Sequence, residues 1–229
     1  MQCPQEEKEL LMSLRNAVIN YDEEKATQLI KTCLEKGIGA GRAIFDGLVP
    51  GIEEVGRLYE QEVYFIPEML LCADVLYRGL ELLKDRIEKK DLGIKGTVLI
   101  GVVEGDIHDI GKNIVKMMFE SANFEVYDLG RDVSLESFLN LCEQLRPDIV
   151  CLSTMMTTTL LEMKRVIVQL KRTNPDVKIM IGGAPVTEEI AARWGASGYA
   201  NNATKALKVA IDLLSTIKND PVLRAALSG

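Results

Sequence analysis

No Cys-x-x-Cys pair occurs in this sequence. Its five cysteines, Cys3, Cys33, Cys72, Cys142 and Cys151, lie far apart, so neither a zinc cage nor a disulfide framework is spelled out, and reduced, mostly buried thiols are expected. No Lys/Arg block stands out either. The 27 bases against 34 acids leave a formal charge of −7, which argues against coating nucleic acid, because phosphate neutralisation needs a basic face. No apolar run approaches the ~20 residues of a membrane span, and the opening MQCPQEEKEL is polar rather than signal-like. A cytoplasmic chain with no membrane and no nucleic-acid partner is expected. Repeats and low-complexity tracts are absent as well.

What is present describes a globular chain. Apolar residues make up 47% and charged residues 27%, and 229 residues suit two domains of ~100–150 residues each. The first part reads as helix after helix. Asp22 is placed as an N-cap ahead of Glu23 and Glu24, the apolar positions Ala26, Leu29, Ile30 and Cys33 share one face, and Gly37 supplies a left-handed stop. Pro50 and Pro67 both suit the first turn of a helix. Pro50 opens a run through Ile52, Val55 and Leu58; Pro67 opens one in which Leu70, Ala73, Leu76, Tyr77, Leu80 and Leu83 recur at three and four. The expected product is a bundle of four or five helices. The charged stretch Lys84–Lys90, followed by Asp91-Leu92-Gly93, ends it, giving a helical domain over 1–92 and a second domain over 93–229.

From Lys95 onward, β-branched runs at 97–103, 124–129, 148–153, 177–181 and 198–200 alternate with helical runs at 110–122, 135–145, 160–171, 188–194 and 203–217. Five β-α units predict an α/β domain: a doubly wound, Rossmann-like (flavodoxin-like) parallel sheet of five strands with helices on both faces. Ligands of such sheets lie outside the carboxyl ends of the strands. Chemistry is therefore sought just after Val103, Ser153 and Ile181.

The first strand is followed by Glu104-Gly105-Asp106-Ile107-His108-Asp109-Ile110-Gly111-Lys112-Asn113. A phosphate-binding Gly-x-x-x-x-Gly-Lys-Ser/Thr loop would need glycine where Asp106 stands and a hydroxyl where Asn113 stands, and a dinucleotide Gly-x-Gly-x-x-Gly is missing too. What remains is the only histidine in the chain, flanked by Asp106 and Asp109. A capping or solvated loop histidine is the plain reading. Against it, an acid two residues away can orient the imidazole, and Gly105 and Gly111 permit close approach of something bulky. With no second histidine, a zinc site is not spelled out; one imidazole suffices for a metal that brings a macrocycle with it. After the third strand comes Ser153-Thr154-Met155-Met156-Thr157-Thr158-Thr159, which by itself reads as an N-cap with a solvated first turn. After the fourth, Gly182-Gly183 is either a turn or a slot left open for a flat ring system.

These segments together resemble the cobalamin-binding corrinoid proteins, relatives of the cobalamin region of methionine synthase. Asp106-x-His108-x-x-Gly111, the Ser153 segment and Gly182-Gly183 appear in the family's order, and the fit continues through Gly198-Tyr199. It extends to the helical half in Gly47-Leu48-Val49-Pro50-Gly51-Ile52-Glu53-Glu54-Val55-Gly56 and Tyr64-Phe65-Ile66-Pro67-Glu68. The resemblance implies a cobalamin or related corrinoid bound base-off and histidine-on. His108 would be the metal ligand to cobalt, within a binding loop of Gly105, Asp106, Ile107, His108, Asp109 and Gly111. Asp106, and behind it Thr159 in the place of the family's serine, would form the relay on the imidazole. The nucleotide tail would enter beside Ser153, Met155, Thr157, Gly182, Gly183 and Ala203. Many members have leucine at Met155 and aspartate at Ser197. Phe65 matches the aromatic near the methyl group; ordinary core packing is the other reading of it.

The function implied is that of a methyl carrier on cobalt, between a substrate-specific methyltransferase and a second methyltransferase whose acceptor is tetrahydrofolate or coenzyme M. A reductive activation protein is implied as a further partner, and the chain would catalyse nothing alone. Rival readings are a cobalamin-dependent sensor, the small subunit of an adenosylcobalamin mutase, and a corrinoid-free flavodoxin-like binding module. The methyl donor is not legible.

Overall fold

The computed structural model describes residues 4–87 and 96–218. Cys3, Glu88–Lys90 and the Asp91-Leu92-Gly93 boundary lie outside the described residues. The chain divides into two compact units, Met1–Glu88 and Lys89–Gly229.

The helical unit holds α1 (Pro4–Ile19), α2 (Glu23–Glu35), α3 (Ala40–Arg42), α4 (Val49–Glu60) and α5 (Ile66–Leu83). α2 follows its local chemistry. The Asp22 carboxylate accepts the Lys25 N–H, Ala26, Ile30 and Cys33 are buried, and Gly37 leaves the helix at φ +74°. Two expectations are corrected here. Pro50 does not open a helix: α3 runs without a break through a π-helical stretch, Ala43–Leu48, into α4. Proline has no N–H for the Asp46 carbonyl and its ring crowds that oxygen. The preceding turn widens, with the Val49 N–H bonded to the Ile44 carbonyl five residues back, and the proline is absorbed without ending the helix. The buried stripe of α5 is Cys72, Val75, Leu76, Gly79, Leu80 and Leu83. Leu70 is 61% exposed, because six residues before Leu76 falls about 120° away round the helix.

The second unit alternates β1 (Thr97–Val102), α6 (Ile110–Ser121), β2 (Glu125–Asp128), α7 (Leu135–Leu145), β3 (Ile149–Ser153), α8 (Leu160–Thr173), β4 (Lys178–Gly182), α9 (Glu188–Trp194), β5 (Gly198–Ala200) and α10 (Ala203–Lys218). All strand pairs are parallel, in the order β2-β1-β3-β4-β5, the flavodoxin-like arrangement. Successive side chains of a strand point to opposite faces. Val98 and Ile100 accordingly pack with Phe119, Ala210 and Leu214 on one side, and Leu99 with Phe138, Met163 and Ile167 on the other. β1, β3 and β4 are covered on both faces, which is why they read as continuous apolar runs, whereas the edge strand β2 is mostly exposed. Cys33, Cys72, Cys142 and Cys151 are free and buried, and burial pushes the Cys142 thiol up to about 11 and Cys151 higher still.

Strand order reverses between β1 and β3. The register aligns Val102 with Ser153, Ser153 with Gly182, and Gly182 with Ala200. Four strand ends stand in one row, and the loops that leave them share one edge of the sheet.

Candidate functional site

His108 lies in the loop between β1 and α6, with its side chain about half exposed and its Nδ1 2.7 Å from Asp106 Oδ1. Asp106 has no exposed surface. Its Oδ1 also accepts the His108 backbone N–H at 3.0 Å, while Oδ2 accepts the Thr154 hydroxyl at 2.8 Å and the Met155 N–H at 2.6 Å. Burial alone would push this carboxyl up. The hydrogen bonds from His108, Met155 and Thr154 outweigh it and bring the pKa down to about 2. The group is therefore a carboxylate that can only accept.

Proton positions follow from that. Nδ1 must carry hydrogen to face a carboxylate oxygen, so in the neutral ring Nε2 holds the lone pair. The single Thr154 hydroxyl hydrogen goes to Asp106, so Thr154 in turn accepts from the Thr159 hydroxyl 2.5 Å away, whose hydrogen is shared with the Met156 carbonyl at 3.0 Å. The result is an ordered chain, Thr159 to Thr154 to Asp106, with the imidazole on its other side. Thr159 reaches Asp106 only through Thr154, a residue the sequence reading passed over. The signal for it was the density of hydroxyls in 153–159, where the family serine directed attention to the last of them.

The glycines at 182 and 183 carry a steric requirement of their own. A Cβ on Gly183, whose φ is +116°, would lie 1.7 Å from the Thr154 carbonyl oxygen, and one on Gly182 would lie 2.8 Å from the Ala200 oxygen. Neighbouring backbone by itself requires glycine at both positions. Gly105 (φ +82°) faces the Thr159 methyl, with a Cβ built there 3.2 Å from it, whereas a Cβ on Gly111 would meet nothing within 4 Å. Ile107 and Met155, either side of the imidazole's holder, are 62% and 55% exposed. Ser153 is half-buried at the end of β3, Thr157 is exposed, and Ala203 is buried at the first turn of α10. Phe65 belongs to the helical unit, where it precedes α5 and is 60% exposed. The core-packing reading of it is overturned.

Lys112 was read only as part of a failed phosphate loop. It is 2% exposed, and its Nζ donates to both Asp128 oxygens (2.7 and 2.8 Å) and to Asn113 Oδ1 (2.6 Å). Asp128 feels burial that raises its pKa, but Lys112 and the Gly130 N–H hold it below the usual carboxylate value. Lys112 is buried and its ammonium fully hydrogen-bonded, while Asp128 keeps contact with solvent, a condition under which such a pair is tolerated. It pins the first turn of α6, and so the histidine loop, to the end of β2.

Comparison with known proteins identifies the fold and the family together. A family described as "B12 binding domain" matches residues 96–208, and a second family of the same description matches 10–84. Trimethylamine corrinoid protein 1 of Methanosarcina acetivorans is 39% identical over 86% of this chain and 93% of its own. This chain belongs to the corrinoid proteins. The structure of the Methanosarcina barkeri monomethylamine corrinoid protein superposes with a TM-score of 0.84 at 31% identity, covering 90% of this chain and 98% of that one. A chain of the methanol:cobalamin methyltransferase complex of the same organism matches with a TM-score of 0.51 at 29% identity, over 93% of this chain and 85% of its own.

The residues of this corrinoid protein fit the group its family binds. Among the described residues no three His, Cys, Asp or Glu side chains gather as a metal cage, so a metal here must bring its other ligands. His108 offers one imidazole with its far nitrogen fixed by a buried carboxylate, the arrangement that orients a metal-binding histidine and raises its basicity. Exposed Ile107 and Met155 offer apolar contact beside it. Among the described residues no helix is long and apolar enough to cross a membrane.

Proposed function

We propose that this corrinoid protein, working in the cytoplasm, carries a methyl group on cobalt between two methyltransferases. One is specific for the methyl donor; the other passes the methyl to tetrahydrofolate or coenzyme M. The observation that carries the reading is the half-exposed imidazole of His108, its Nδ1 bound to a carboxylate without exposed surface. Support also comes from the named relatives, two of which are corrinoid proteins of methylamines and one a chain from a methyltransferase complex. Those names do not favour the sensor, the mutase subunit or the corrinoid-free module.

When bound, the corrinoid supplies a cobalt centre able to accept and release a methyl group. The chain does the rest. His108 would hold the cobalt through Nε2, in the base-off and histidine-on manner, while Asp106 holds the ring at Nδ1. Thr154, backed by Thr159, keeps the Asp106 carboxylate ionised and aimed at the imidazole. The loop Gly105–Gly111 carries the ligand. Ser153, Met155, Thr157, Gly182, Gly183 and Ala203 are assigned to the nucleotide tail, on their place along one edge of the sheet and on the family resemblance. Phe65 is assigned to the methyl group's aromatic neighbour, on its exposure and the same resemblance. The functional division is placed at 1–92 and 93–229, and reductive activation is assigned to a separate protein.

The carrier role predicts that methyl-loaded protein mixed with tetrahydrofolate or coenzyme M transfers nothing until the matching second methyltransferase is added, after which the loaded form is consumed within single-turnover mixing. Rapid transfer by the isolated chain contradicts it. Because the relatives handle different donors, the donor is expected to follow the first methyltransferase supplied, not substitutions in this chain.

A further inference from the structure

We propose that Asp132 is a positioning residue for His108, acting through the Gly105 amide and the Asp106 carbonyl; the inference rests on the histidine-on reading above. Asp132 lies in the connection from β2 to α7, which runs along the end of β1. The Val102 N–H donates to the Gly130 carbonyl, the Val133 N–H donates back to the Val102 carbonyl, and Val103 bridges Val133. Between these ties Asp132 grips the histidine loop twice. Its backbone N–H donates to the Asp106 carbonyl at 2.9 Å, and its Oδ1 accepts the Gly105 N–H at 2.7 Å.

Asp132 holds a backbone conformation that few residues of this chain share. Its φ is +54°, the left-handed region that a side chain adopts with strain, tolerated better by Asp and Asn than by most residues. Yet the residue is exposed and belongs to neither core cluster. Strained residues persist where the surroundings over-determine them and tend to gather at functional sites. What the double grip fixes is the backbone on either side of the Asp106 Cα. The Asp106 carboxylate is held from the β3 side by Thr154 and Met155; Asp132 holds its main chain from the β2 side. With both held, the direction of the His108 ring has little freedom left.

The test uses the full chain reconstituted with hydroxocobalamin and three variants. Asp132→Gly removes the side-chain acceptor but suits the left-handed backbone. Asp132→Asn keeps both the acceptor and that tolerance. His108→Ala is the control for the underlying reading. Without corrinoid, Asp132→Gly is expected to keep or raise the Tm while hydrogen exchange at the Gly105 amide speeds up about tenfold. With corrinoid, its affinity is expected to fall roughly tenfold, in the range seen when an outer partner of a metal ligand is lost, and the histidine-ligated share of the reduced cobalt signal is expected to drop. Asp132→Asn should match wild type in every measurement. Unchanged affinity and signal in Asp132→Gly, or equal damage from Asp132→Asn, overturns the inference. So does a fall in Tm with faster exchange across the whole sheet, which marks a merely structural role. If His108→Ala keeps the wild-type signal, the histidine-on reading falls and this inference with it. If His108→Ala loses the signal and Asp132→Gly does not, only the role of Asp132 fails.

Discussion

Gly183→Ala is expected to cost the α/β unit more than ~4 kcal/mol, the range reached only when a substitution cannot be accommodated, and to abolish corrinoid loading. The methyl group would sit 1.7 Å from the Thr154 carbonyl oxygen and 2.7 Å from its carbon, on a residue whose φ of +116° already disfavours any side chain. The obstacle is backbone, not the tip of a flexible side chain. Relief therefore requires the end of β3 to move, and that end carries the Thr154 hydroxyl on which Asp106 depends. Denaturant unfolding of the corrinoid-free chain measures the loss. Gly111→Ala provides the contrast: open space surrounds that position, and alanine is the better helix former by roughly 0.5–1 kcal/mol, so stability should hold or rise slightly. A loss under ~1 kcal/mol in Gly183→Ala would mean that the two strand ends are not packed this closely.

Asp106→Asn is the second large effect. The amide can offer oxygen to only one side of the site and must turn its NH₂ toward the other, where donors already point: the His108 N–H groups on one side, the Thr154 hydroxyl and the Met155 N–H on the other. Leaving buried donors unpaired costs on the order of 1–3 kcal/mol, and the loss of the ligand's partner should weaken corrinoid binding by roughly 10–100-fold. The acid response carries an independent sign. The folded pKa of Asp106, about 2, lies below its ordinary 3.8. Its stabilisation is thus complete above the unfolded value and lost as pH falls through 3.8 toward 2. A shift of that size on a fully buried group corresponds to about 2 kcal/mol. Unfolding free energies of the corrinoid-free protein compared between neutral and acid pH should show that decline in wild type, and a decline smaller by about this amount in Asp106→Asn. Parallel curves for the two proteins would contradict the assignment.

Much of this was legible from residue order. The β-α alternation follows from apolar runs separated by helical periods, because strands buried on both faces leave a continuous pattern, whereas the strand order is shown only by the structure. His108 with Asp106 was legible because the loop after β1 contains the chain's only imidazole. Three things were not. Pro50 reads as a helix start because the usual cost of an internal proline is high, and a π turn that absorbs it leaves no mark in the side-chain pattern. The backbone requirement at Gly182 and Gly183 is silent because sequence does not reveal that Thr154 and Ala200 present their carbonyls there. Asp132 and Thr154 escaped because their parts are played by a loop φ and a hydroxyl direction, which arise only when the ends of β1, β2 and β3 are brought side by side.

The central claim, that His108 is the axial ligand to cobalt, has a direct measurement because the chain holds a single histidine. Protein grown with ¹⁵N-histidine, loaded with unlabelled cobalamin and reduced by one electron, is examined by electron paramagnetic resonance. If His108 binds cobalt, the nitrogen splitting changes from the triplet of ¹⁴N to the doublet of ¹⁵N upon labelling, and it vanishes in His108→Ala. A triplet that persists in the labelled protein means the cofactor's own base has stayed on the metal, and the account is wrong at its centre.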